Sequence, residues 1–121
     1  MDRSFQRLLL ESTRLYDLGD HEAAHALEQE VLACGSEQVV NTLGYSYLFQ
    51  HNDLERAIVL FRRNVEEYPA SWNAFDSLGE ALTLNGEIEE AVEMFSVAYQ
   101  MAPPSHQHRI RRTLDHLGEL N

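Results

Sequence analysis

Residues 21–25 read His-Glu-Ala-Ala-His. On a helix this spacing puts two imidazoles on one face, where metalloproteases hold zinc while the glutamate serves as base. His21 and His25 are therefore candidate metal ligands, and Glu22 a candidate base. A catalytic zinc also needs a third protein ligand, an open coordination position and a substrate cleft. The sequence offers no pattern for any of these, so we assign no catalytic residue, metal or cofactor. What remains is a histidine pair able to hold a stray divalent ion or to respond to pH. Ser77, in DSLGEAL, lacks the G-x-S-x-G frame of a nucleophile elbow. Gly44 and Asn85-Gly86 read as packing and turn glycines, and no glycine-rich run could cradle phosphate. A zinc hydrolase built on HEAAH is thus the remote alternative.

Charge narrows the choice further. The chain has 121 residues, with 20 acidic and 9 basic side chains and a net charge of -11. All the basic residues are arginine, because the chain contains no lysine. So acidic a chain lacks the basic face that phosphate backbones require, which argues against a nucleic-acid partner. The one positive patch is His106, His108, Arg109, Arg111, Arg112 and His116. No aromatic residue interleaves its arginines for base stacking, so it reads as a solvated capping face or a contact with an acidic protein surface. Cys34 is the single cysteine, which excludes an internal disulfide and a cysteine-based zinc site. The three-leucine run near the start is far too short for a signal core or a membrane span. A cytoplasmic protein with no membrane partner is expected.

These residues must be positioned by helices. Ala57 and Ala91, Phe61 and Phe95, and Pro69 and Pro103 each lie 34 residues apart. Leu43-Gly44 and Leu78-Gly79 lie 35 apart, so the earlier unit carries one extra residue, expected in its inner turn QHND. Within each unit apolar residues recur in steps of three and four, as in Phe75, Leu78, Leu82 and then Ala91, Phe95, Ala98. Ser36, Ser71 and Ser105 follow Gly or Pro breaks and are expected N-caps. No stretch sustains the alternation of a strand.

Phe75, Leu78-Gly79, Gly86, Ala91, Phe95, Ala98 and Pro103 together resemble the tetratricopeptide repeat (TPR) family. The unit before departs at Asn64, where a small apolar residue is usual, and at its extra turn residue. An N-terminal unit keeps Leu8, Leu15, Gly19, Ala24 and Val31 in register, while Glu11, Ser12 and Glu28 depart. Ile110, Leu114 and Leu117 suit a final capping helix. The resemblance implies an all-α fold of three antiparallel hairpins plus a C-terminal capping helix, wound as a right-handed superhelix. It implies one domain over 1–121, with repeats near 4–35, 36–70 and 71–104 and the cap at 105–120. In that register His21 and His25 fall at half-buried packing positions or, one residue out, face solvent.

In this family first-helix side chains line a concave peptide groove, and the resemblance places Tyr16, Asn41, Tyr45, Leu48, Phe49, Asn73, Asp76 and Glu80 there, with Gln6, Leu9, Thr13, Gln38 and Thr83 beside them. Some members clamp a C-terminal carboxylate with lysines. Here lysine is absent, and Asp76 and Glu80 would repel a carboxylate. The expected function is a non-catalytic protein-interaction module whose partner is a peptide or helix, apolar with a basic flank. Tyr45 and Phe49 could instead pack partly inside the superhelix. The run AIVLFRRNVEEYPASWNAFDSLGEAL also looks like the repeat segment after the catalytic domain of some bacterial serine hydrolases. That implies the alternative of a structural, homo-oligomerising or accessory element.

Overall fold

The computed structural model describes residues 3–120, and the side chains of 6–33 and 35–119. Seven helices follow one another: α1 Arg3–Asp17, α2 His21–Cys34, α3 Glu37–Tyr45, α4 Leu54–Glu67, α5 Trp72–Leu84, α6 Ile88–Met101 and α7 Pro104–Leu120. No strand occurs among the described residues. Pairs α1/α2, α3/α4 and α5/α6 are antiparallel hairpins, and α7 packs on α6 at the end of the stack.

The repeat landmarks work as a lock between helices. Gly44 and Gly79 face Phe61 and Phe95, and a Cβ on either glycine would fall 2.5 Å from Phe61 Cε1 or 2.9 Å from Phe95 Cζ. Absent side chains on one helix let the aromatic ring of the next seat fully, as close-packed interiors require. In the first hairpin the equivalent pair is Ser12 and Glu28, and both are buried. Two of the residues that depart from the repeat pattern are therefore buried where the other hairpins place the glycine and phenylalanine.

Hairpin turns show the same logic. Gly19 and Gly86 adopt φ of +87° and +82°, a left-handed conformation that costs glycine nothing. Each sits in a closing turn, with Asp20 N–H donating to Leu15 O and Glu87 N–H to Leu82 O at 2.9 Å. In the middle hairpin Asn52 takes the left-handed position at φ 57°, and Asp53 N–H reaches Tyr47 O at 2.8 Å, one residue further back. The extra residue is not carried by the turn alone, as the spacing suggested. Ser46–Gln50 winds as a π-helical turn that continues α3, with His51 N–H donating to Ser46 O at 3.2 Å. Wide turns of this kind accommodate single insertions without breaking a helix.

Ser36 and Ser71 sit at N-caps as expected, and Ser105 does not. Ser71 caps α5 by accepting from Ala74 N–H. Ser36 occupies the N-cap of α3 without a side-chain bond. Ser105 lies inside α7, which opens on Pro104, with Pro103 O accepting from His106 and Gln107 N–H. Proline suits the first helical position because its missing N–H has no partner there in any case. Asp20 and Asp53 do the capping of α2 and α4, accepting from Ala23 and Arg56 N–H.

Candidate functional site

HEAAH opens α2, but its imidazoles take separate partners. His21 is exposed and stacks on the Tyr16 ring, with centroids 4.2 Å apart and planes 9° from parallel. His25 is half-buried, and its Nδ1 lies 2.9 Å from Arg56 Nη2. A guanidinium only donates, so that nitrogen accepts and its lone pair is already used. Among the described residues no group of three His, Cys, Asp or Glu side chains is placed to hold a metal. Ser77 is fully buried, donating to Asn41 Oδ1 at 2.8 Å, with Tyr45 Oη 3.2 Å from its hydroxyl.

Tyr16 does not line a groove. It is half-buried at the junction of the first two hairpins, donating to Asp53 Oδ2 at 2.8 Å and touching the His51 and Tyr47 rings. Next to it Glu28 accepts from the Tyr47 hydroxyl and from Arg56 Nη1, the latter at 3.2 Å. His51 Nδ1 lies 3.0 Å from Asp17 Oδ1 without an aligned hydrogen bond. Burial raises the Glu28 carboxyl above its ordinary range, against the opposing effect of the Tyr47 bond. Burial, reinforced by Glu28, pushes the Tyr47 hydroxyl far up. Burial also raises Tyr16 and lowers Arg56. This polar junction replaces the phenylalanine lock of the other hairpins.

The first-helix face carries two adjoining hollows. One, of about 460 Å³ between α1 and α3, is lined by Leu9, Leu10, Thr13, Tyr45, Ser46 and Phe49 among others. Leu10 is 72% exposed and Phe49 65%, unusual for such large apolar side chains. Phe49 also borders the second hollow, of about 340 Å³, with Asp76, Glu80, Leu84 and Arg109. Tyr45 shapes the first with its ring stacked on Phe49 at 5.8 Å, while its hydroxyl donates to Glu80 Oε2 at 2.8 Å. Burial raises the Tyr45 hydroxyl, so it remains a donor at neutral pH. Asp76 Oδ2 accepts from Arg109 Nη2 at 2.8 Å.

Of the residues expected in or beside the groove, Leu9, Thr13, Tyr45, Phe49, Asp76, Glu80 and Thr83 border these hollows. Leu48 does not: it is 4% exposed and belongs to the core, because the π turn rotates it inward. Asn41 is half-buried and accepts from Ser77. Asn73 is exposed on the first turn of α5, outside both hollows. Leu10, Ser46, Leu84 and Arg109 were not foreseen there. Leu10 was legible only as an apolar residue off the core stripe of α1, and Arg109 needed α7, packed on α6, to bring it within reach of Asp76 on α5. A third hollow of about 470 Å³ lies on the outer side between α2 and α4. Both of its arginines are engaged: Arg56 with Glu28, and Arg63 with Leu32 O and Glu67.

No protein-family model matches the sequence, and no curated protein matches it. Among solved structures, PcrH from Pseudomonas aeruginosa superposes with a TM-score of 0.71 at 15% identity, over 98% of this chain and 94% of that one. The type III secretion translocator chaperone SycD of Yersinia enterocolitica superposes with a TM-score of 0.68 at 17% identity, over 98% and 86%. At such identities the likeness is one of fold, and it supports a TPR-like helical architecture along nearly the whole chain.

Proposed function

We propose that the chain is a non-catalytic protein-binding module of the TPR type, which holds an extended apolar segment of a partner in the α1/α3 hollow. One observation carries this: Leu10 and Phe49 stand 72% and 65% exposed on the rims of an apolar concavity. Exposed apolar side chains grouped around a cleft mark interaction surfaces. SycD, whose fold this chain shares, is by its name a chaperone for type III secretion translocators, and a chaperone-like hold on a partner protein is in keeping with such a cleft. The reading takes residues 1–121 as one unit of three repeats and a cap. An accessory or self-associating role is the second reading, and the exposed Arg111 and Arg112 of α7 on an otherwise acidic chain favour it.

Peptide-display selection on the immobilised full chain tests the first reading. Selected peptides should carry apolar anchors and bind with a Kd read by fluorescence anisotropy. Leu10→Glu and Phe49→Glu should each weaken binding at least about tenfold, or ~1.4 kcal/mol, with helical circular dichroism intact. Val59→Glu, on the outer side, should leave binding unchanged. Failure to select any peptide, or equal loss from Val59→Glu, refutes it.

A further inference from the structure

We infer that the hollow beside Phe49 is a subsite for a cationic side chain, lysine or arginine, of the segment bound in the α1/α3 hollow. The inference rests on the groove reading above and adds its charge specificity. Asp76 borders the hollow at only 8% exposure. Its Oδ2 accepts from Arg109, while its Oδ1 is buried with no hydrogen-bond partner. A carboxylate with one oxygen desolvated and unpaired is costly, and positive charge brought close to it lowers that cost. Glu80, half-buried, lines the same space. Two carboxylates thus face one guanidinium, which leaves one negative charge uncompensated.

The walls suit a long cationic side chain. Phe49, Leu84 and Phe95 offer apolar surface on which a lysine or arginine stem can lie with its charged head at the carboxylates. Phe49 borders both hollows, so a segment anchored between α1 and α3 reaches this one without a break. Arg109 shows that the site accepts a guanidinium. Its side chain is 52% exposed, so it has room to shift toward water as a second cation joins it. The chain's net charge of -11 draws such a segment in from a distance.

The test uses one display-selected peptide with lysine, arginine, norleucine or glutamate placed at each position in turn, measured against the full chain. At one position lysine and arginine should bind about tenfold tighter than norleucine, and glutamate weaker than norleucine. Asp76→Asn and, separately, Glu80→Gln should reduce that preference, while the norleucine peptide keeps its affinity. Arg109→Gln, by removing the resident positive charge, should enlarge it. Equal binding of lysine and norleucine peptides at every position overturns the subsite and leaves the groove intact. So does a preference unchanged in both carboxylate variants. If no peptide binds at all, the groove reading falls and this inference with it.

Discussion

Glu28 stands where the other hairpins place Phe61 and Phe95, and the consequences reach two helices away. A buried carboxylate needs donors, and here Tyr47 and Arg56 supply them from the second hairpin. Its proton is held to higher pH in the folded state than in the unfolded chain. The stability that Glu28 contributes is therefore full below its ordinary pKa near 4.5 and is lost as pH rises through the raised value. Glu28→Gln abolishes this titration while its amide oxygen still accepts from Tyr47. The stability of the wild type relative to Glu28→Gln should accordingly fall as pH rises above 4.5, measured by urea denaturation. A flat difference would mean that Glu28 is as well solvated folded as unfolded. In the sequence Glu28 was visible as a departure from the repeat. Its partners were not, because Tyr47 and Arg56 come from a neighbouring hairpin and serve other roles in the repeat pattern.

Helix ends were legible where backbone conformation demands a residue type. Gly19 and Gly86 mark left-handed turns, and only glycine adopts that conformation freely. The extra residue of the middle repeat was countable, but a count does not say whether a turn loops out or a helix widens. Packing decided for the π turn, because Tyr47 and Leu48 on it are both buried. The caps show a similar division. Among the described residues Asp20 accepts from its own helix alone, at Ala23 N–H, whereas Asp53 caps α4 and also accepts from the Tyr16 hydroxyl of the first hairpin. Asp20→Ala should cost about 1 kcal/mol, and Asp53→Ala measurably more, by urea denaturation of the full chain. Equal losses would show that the Tyr16 contact adds nothing to hairpin docking.

A stack of hairpins leaves an apolar face open at each end, and a final helix closes one of them. In α7, Ile110 is fully buried and Leu117 is 1% exposed, both within the main core. Their opposite side carries Arg111 and Arg112 to solvent. Ile110→Ala and Leu117→Ala should each cost about 2–5 kcal/mol, the range for truncating a buried aliphatic side chain. Losses below about 1 kcal/mol in both would show that α7 lies on the surface and closes nothing. The same helix brings Arg109 to Asp76, so the cap also finishes the wall of the second hollow.

The spacing of Ala57 and Ala91, Phe61 and Phe95, and Gly44 and Gly79 determined the hairpin, its close helix approach and its repetition. Each of these is a local matter of helical period and side-chain size, written in consecutive residues. HEAAH carried the opposite lesson: its spacing allowed a shared ligand, while His21 stacks on Tyr16 and His25 accepts from Arg56. Only the tertiary structure decided that, and only it turned Leu48 inward, left Leu10 and Phe49 outward, and set Arg109 against Asp76. A side chain's partners depend on which helices stack beside it and at what angle, and that information is spread over residues far apart in the chain.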